Sequence, residues 1–210
     1  MPISVVLVDD HAIVRDGLRT VLERDGFDIA GEASDGYAAI GIVRTLRPQV
    51  AVMDVAMPLL NGIDASREIA LQCPATRTIL LTVHTEAPYV VEALRAGVRG
   101  YVLKTQAAQD LCRAIREAVE GRVYLSPGIS STVVNRCLTS QPAIDDRLTH
   151  RERQVLQLVA VGKTTKQIAV LLGVSSKTAE SHRVSLMSKL DIHDTAGLVR
   201  YAIRRGVVQP

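Results

Sequence analysis

The chain has little cysteine and no long apolar run. Its 210 residues include three cysteines, Cys73, Cys112 and Cys137. The number is odd and no Cys-x-x-Cys pair occurs. This suggests neither a disulfide framework nor a cysteine zinc site, and it fits a reducing compartment. Each cysteine reads as a small buried hydrophobe. No stretch approaches the roughly eighteen uncharged apolar residues of a membrane helix, so no membrane association is expected. The first ten residues, Met-Pro-Ile-Ser-Val-Val-Leu-Val-Asp-Asp, are apolar but short. They lack a basic start and end in two acids, which makes a poor secretory signal. A cytoplasmic location is expected. No internal repeat or low-complexity tract is apparent.

What is present suits packed cores: 47 % of the residues are apolar. The length allows one large domain or two small ones. Net charge is +3, unevenly spread. Residues 1–125 hold 13 Lys+Arg and 16 Asp+Glu, and residues 126–210 hold 12 and 6. The basic C-terminal part suits a polyanionic partner.

Short apolar runs alternate with helix-period segments over residues 1–125. Val5–Val8, Val50–Val52, Ile79–Leu81 and Tyr101–Leu103 read as buried strands, with Ile29–Ala33 a fainter fifth. Val14, Leu18, Val21 and Leu22 mark one amphipathic helix. Leu111, Ala114, Ile115, Ala118 and Val119 mark another. Apolar strands separated by helices predict a parallel sheet covered on both faces. Five such strands give a doubly wound α/β domain over 1–125. Pro127, Gly128, Pro142 and a Ser/Thr run then mark a linker over 126–147, with a helix expected across Ile129–Leu138. From Leu148 only helices are predicted, forming a small all-α domain over 148–210. Thr149-His-Arg-Glu152 is a capping box. Gly162 and Gly173 are placed to end helices. Ser175 or Ser176 caps a third helix running to about Leu190, and Thr195 opens a fourth.

In a doubly wound sheet the chemistry sits at the carboxyl ends of the strands. Strand one ends in Asp9-Asp10, strand three in Asp54, strand four in Thr82 and strand five in Lys104. With strand order 2-1-3-4-5 these residues converge. Three carboxylates together call for a cation. Mg²⁺ (or Mn²⁺) suits oxygen ligands and keeps waters that a phosphate can replace. An aspartate can be phosphorylated as a nucleophile, with Lys104 and the Thr82 hydroxyl meeting the phosphoryl oxygens. A lone strand-end Asp is more often a helix cap than a ligand. Five matching residues at four strand ends make a site the better reading. His11 reads as a helix-start residue.

Residues 1–125 resemble the receiver domain of bacterial two-component response regulators, a flavodoxin-like fold. The resemblance lies in Val8-Asp9-Asp10-His11, in Met53-Asp54-Val55-Ala56-Met57-Pro58 with Asn61-Gly62, in Leu81-Thr82, and in Gly100-Tyr101-Val102-Leu103-Lys104. It implies Asp54 as phospho-acceptor, Asp10 as a direct Mg²⁺ ligand, Asp9 assisting through water and the Ala56 carbonyl as a third protein ligand. It implies a sensor histidine kinase as phosphoryl donor. It also implies that Thr82 and Tyr101 form a switch pair.

Residues 148–210 resemble the LuxR-type helix-turn-helix of the NarL/FixJ regulators. The matching stretches begin with Leu148-Thr149-x-Arg151-Glu152-x-x-Val155-Leu156. Gly162-Lys163-Thr164-Thr165-Lys166-Gln167-Ile168-Ala169 and Leu172-Gly173-Val174-Ser175-x-Lys177-Thr178-Ala179-Glu180-x-His182-Arg183 follow, and Met187-x-Lys189-Leu190 ends the run. On the third helix Ala179, Leu186, Met187 and Leu190 form the expected buried stripe. Lys177, Glu180, Ser181 and Val184 lie opposite and are the candidates for base readout in double-stranded promoter DNA. Thr165, Lys166, Thr178, His182, Arg183 and Lys189 are candidates for phosphate contact or local packing. Glu180 repels phosphate but can accept from cytosine N4. Family resemblance puts Leu198 and Tyr201 at a dimer interface, with a homodimer when phosphorylated. Contact with RNA polymerase is left open.

Three functions compete. The first is a phosphorylation-controlled transcription regulator, not an enzyme beyond its own phosphorylation and dephosphorylation. The second is a Mg²⁺-dependent phosphotransferase of the haloacid dehalogenase type. That chemistry needs an acid two residues after the nucleophile, where this chain has Ala56. The third is a constitutive DNA-binding protein with a silent receiver. The intact Asp9, Asp10, Asp54, Thr82 and Lys104 favour the first.

Overall fold

The computed structural model describes residues 2–83, 85, 87–129, 148–204 and 207–208. The described residues fall into two compact units. In the first, strands and helices alternate: β1 (Ser4–Val8), α1 (Ala12–Arg24), β2 (Asp28–Ala33), α2 (Gly36–Leu46), β3 (Val50–Asp54), α3 (Gly62–Gln72), β4 (Arg77–Thr82), α4 (Ala87–Arg95), β5 (Gly100–Leu103), α5 (Ala107–Val119) and β6 (Tyr124–Leu125).

The sheet is parallel throughout, in the order β2-β1-β3-β4-β5-β6. The five strands lie in the predicted order, and a sixth, two-residue strand extends the β5 edge. Its brevity leaves no periodicity to read. β3 and β5 are buried at every residue, as a sheet covered on both faces requires. Val5, Leu7, Val52, Ile79 and Leu81 meet Leu22 of α1 and Leu111, Ala114, Ile115 and Ala118 of α5 in one core cluster. Both helical stripes read from the sequence therefore face the sheet.

Ser126 does not open the linker. It is fully buried, its N–H donates to the Tyr101 carbonyl at 3.0 Å, and its hydroxyl donates to Asp110 at 2.7 Å. The helix expected from Ile129 to Leu138 lies outside the described residues beyond Ile129 itself, as does Cys137. Cys73 is buried. Cys112 is only partly buried, and burial together with a hydrogen bond to Asp25 pushes its thiol up to about 11, away from reactivity.

The second unit is helical among its described residues: α6 (His150–Ala160), α7 (Thr165–Leu172), α8 (Ser176–Leu190) and α9 (Thr195–Arg204). The Thr149/Glu152 capping box is formed, and α7 carries a second one from Thr164 and Gln167. Gly173 ends α7 in the left-handed conformation, φ 63°, where a Cβ would be strained. Ser175 caps α8 by accepting from the Thr178 N–H at 3.1 Å. Leu156, Ile168, Leu172, Ala179, Leu186, Leu198 and Ala202 form this unit's core.

Candidate functional site

The first site follows from how the strands end. β1 delivers Asp9, β3 ends on Asp54, β4 ends on Thr82, and β5 runs into a single 3₁₀ turn that begins at Lys104. Asp9 is 1 % exposed and Asp54 2 %. The Lys104 ammonium lies 2.9 Å from Asp9 Oδ2 and 3.1 Å from Asp54 Oδ2. The contact to Asp9 is an aligned hydrogen bond. The contact to Asp54 is an ion pair only, and Asp54 Oδ2 is buried with no hydrogen-bond partner.

Electrostatics follow from burial. Desolvation, reinforced by the Asp9 charge, pushes the Asp54 carboxyl above its ordinary value, against the pull of Lys104 and the Ala56 N–H. Burial also opposes the charge on Lys104. There the two carboxylates win, and its pKa rises. The pocket is thus short of positive charge. Its donors are hard carboxylate oxygens, and one buried oxygen, Asp54 Oδ2, accepts no aligned hydrogen bond. That donor set fits a divalent cation of the Mg²⁺ type.

Asp10 is exposed and turns to His11, with Oδ1 2.9 Å from His11 Nδ1. Ligand atoms of Asp9, Asp10 and His11 lie within 4.8 Å of one another. His11 is at the start of α1 but makes no side-chain cap; its ring lies against the acids instead.

The loop after Asp54 is shaped by Asn61-Gly62. Asn61 caps α3 by accepting from the Asp64 N–H at 2.8 Å. A Cβ on Gly62 would fall 2.1 Å from the Asp54 carbonyl oxygen, so only glycine allows this approach. Thr82 and Tyr101 are both buried. Sequence reasoning missed Arg15, whose Nη1 donates to the Asp9 carbonyl at 2.6 Å while its Nε donates to Glu32 at 3.1 Å. Arg15 lies one turn into α1 and six residues past Asp9, too distant for a strand-end pattern to flag.

The second site is the outer face of α8. Lys177, Thr178, Glu180, Ser181 and Val184 are exposed, and Val184 is 58 % exposed despite being apolar. His182 and Arg183 are partly buried, and Arg183 donates to Thr195 Oγ1 at 2.8 Å. Lys166 is exposed beside the partly buried Thr165 at the start of α7. The expected inner stripe is divided: Ala179 and Leu186 are buried, whereas Met187 and Leu190 are partly so.

Of the two readings open for Lys189, phosphate contact or local packing, the structure supports the second: its Nζ lies 2.7 Å from Glu152 Oε2 within its own unit. One expectation is corrected. Leu198 is 0 % exposed and belongs to the core, which removes it from any dimer surface. Tyr201 is partly buried and packs on the same core.

Residues 5–116 match the response regulator receiver domain family, and residues 146–202 match the luxR family of bacterial regulatory proteins. The chain belongs to the NarL/FixJ response regulators. It is 38 % identical over 207 residues to the transcriptional regulatory protein MctR of Rhizobium johnstonii, covering 98 % of this chain and 95 % of that protein. It is 37 % identical over 210 residues to the response regulator UvrY of Escherichia coli, with the same coverage of each. Among solved structures it resembles RcsB of Salmonella enterica serovar Typhimurium, bound to a promoter in the presence of the phosphomimetic BeF3⁻. The TM-score is 0.67 at 29 % identity, covering 96 % of this chain and 98 % of that one. A LuxR-family response regulator from Aurantimonas gives a TM-score of 0.63 at 34 % identity over 66 % of this chain and 99 % of that one. As a NarL/FixJ response regulator the protein is a DNA-binding component of a two-component system that controls transcription. No described helix is long and apolar enough to cross a membrane.

Proposed function

We propose that phosphoryl transfer from a sensor histidine kinase to Asp54 switches this protein's binding to promoter DNA. The carrying observation is the convergence of Asp9, Asp54 and Lys104, with Asp54 Oδ2 buried and paired to the Lys104 ammonium at 3.1 Å without an aligned hydrogen bond. In the transfer an Asp54 carboxylate oxygen forms a bond to phosphorus. The phosphorus–nitrogen bond of the donor's phosphohistidine breaks, and its electron pair returns to the imidazole. Lys104, within reach of both carboxylates, offsets the charge on the phosphoryl oxygens. Asp9, Asp10, Asp54 and the Ala56 carbonyl would hold Mg²⁺ (or Mn²⁺), which supplies charge neutralisation at the phosphoryl group. The Thr82 hydroxyl meets a phosphoryl oxygen, and the buried Tyr101 ring repacks in response. The phosphorylated protein acts in the cytoplasm as a homodimer on paired half-sites. It performs no chemistry beyond its own phosphorylation and dephosphorylation.

Treatment of the full chain with an acyl phosphate and Mg²⁺, followed by intact-mass measurement, tests the assignment. The wild type is labelled and Asp54→Asn is not. Equal labelling of the two refutes Asp54. Phosphorylated protein that binds promoter DNA no better than unphosphorylated protein refutes the switch.

A further inference from the structure

Glu180 is the only acid among the fifteen residues of α8, and it stands exposed on the helix's outer face, the candidate DNA-reading face. A carboxylate there is unfavourable against phosphate, so it must be offset by a specific contact or it weakens binding everywhere. Its orientation is not left to chance. The Thr165 hydroxyl, on the first residue of α7, donates to Glu180 Oε2 at 3.0 Å. Thr165 is β-branched and so stiff at χ1. Among the described residues Glu180 Oε1 has no partner.

We propose that Glu180 determines base specificity by selecting a cytosine in each half-site, and that Thr165 is its positioning residue. This rests on the second unit's reading of duplex DNA. An ionised carboxylate only accepts hydrogen bonds. The major groove offers two amino donors, cytosine N4 and adenine N6. Adenine N6 lies between two acceptors, its own N7 and the paired thymine O4. Cytosine N4 has an acceptor on one side only, the paired guanine O6. A carboxylate is therefore repelled least at cytosine. Guanine and thymine offer it only acceptors. With Oε2 held by Thr165, less side-chain freedom is lost when Oε1 accepts from the base.

The test is selection from randomised duplex DNA with the full chain, at fixed salt, for wild type, Glu180→Gln, Thr165→Val and Thr165→Ser. The wild type should enrich cytosine at one position per half-site, by about tenfold over the other bases. Glu180→Gln should move that position to adenine, which a carboxamide can bind through both N6 and N7. It should also bind non-specific duplex more tightly, because a negative charge is gone. Thr165→Val should weaken the cytosine preference, and Thr165→Ser should restore it. An unchanged base profile in Glu180→Gln with DNA binding retained overturns the proposal. A Thr165→Val profile equal to wild type removes Thr165 from it. Failure of the wild type to bind any duplex overturns the DNA-binding reading instead.

Discussion

Glu152→Gln should destabilise the DNA-binding unit in a pH-dependent way. Glu152 is 3 % exposed, and its carboxylate accepts from Lys189 Nζ at 2.7 Å, Ser185 Oγ at 2.6 Å and the Thr149 N–H at 2.7 Å. Burial works against its charge, yet these hydrogen bonds outweigh it and hold the carboxyl at about 2, against an ordinary 4.5. That difference corresponds to about 3 kcal/mol of stability at neutral pH. Lys189 is 36 % exposed, so solvent screening reduces the expected loss to about 2 kcal/mol. The folded-state pKa is depressed. The contribution is therefore complete above the ordinary 4.5 and fades as pH falls towards about 2. Glutamine is neutral throughout and supplies the baseline. Urea unfolding of both full-length proteins, followed by circular dichroism, should give a gap of about 2 kcal/mol at neutral pH. The gap should shrink to about half near pH 3. Hydrogen exchange should place the loss in α6 and α8, since Ser185 and Lys189 tie the second of these to the first. A gap below about 0.5 kcal/mol at neutral pH, or one that ignores acidification, refutes the reasoning.

Gly62→Ala should destabilise the receiver unit by about 3 kcal/mol and lower acyl-phosphate labelling of Asp54, because the new methyl would strike the Asp54 carbonyl; urea unfolding and intact mass check both effects. Leu198→Ala should cost about 3 kcal/mol in the stability of the second unit, since it empties a core position; stability equal to wild type would mean the side chain is not packed there. Lys177→Ala should weaken promoter binding and lower the slope of log affinity against log salt by about one, because Lys177 is an exposed cation on the outer face of α8; an unchanged slope removes its charge from the DNA contact.

The pattern of residues predicted the parallel sheet and the strand ends that carry Asp9, Asp54, Thr82 and Lys104. Apolar runs too short for a helix, separated by amphipathic helices, suit strands covered on both faces, and a doubly wound sheet has one edge where its carboxyl ends gather. It likewise predicted the capping box of α6 and narrowed the cap of α8 to Ser175 or Ser176, because capping is settled within four residues. The two-residue β6 was too short to show a period. Tertiary structure alone decided which side chains the fold claims for itself. Lys189 lies 37 residues from Glu152, and no local pattern separates a lysine paired there from one reserved for phosphate. Leu198 reads equally well as core or interface until its burial is known, since an apolar stripe does not name what covers it. Arg15, which donates to the Asp9 carbonyl, is itself paired with Glu32 across 17 residues, and Thr165 donates to Glu180 across 15. Strand ends are fixed by one-dimensional periodicity. Polar pairs that close only when helices and strands are packed are not.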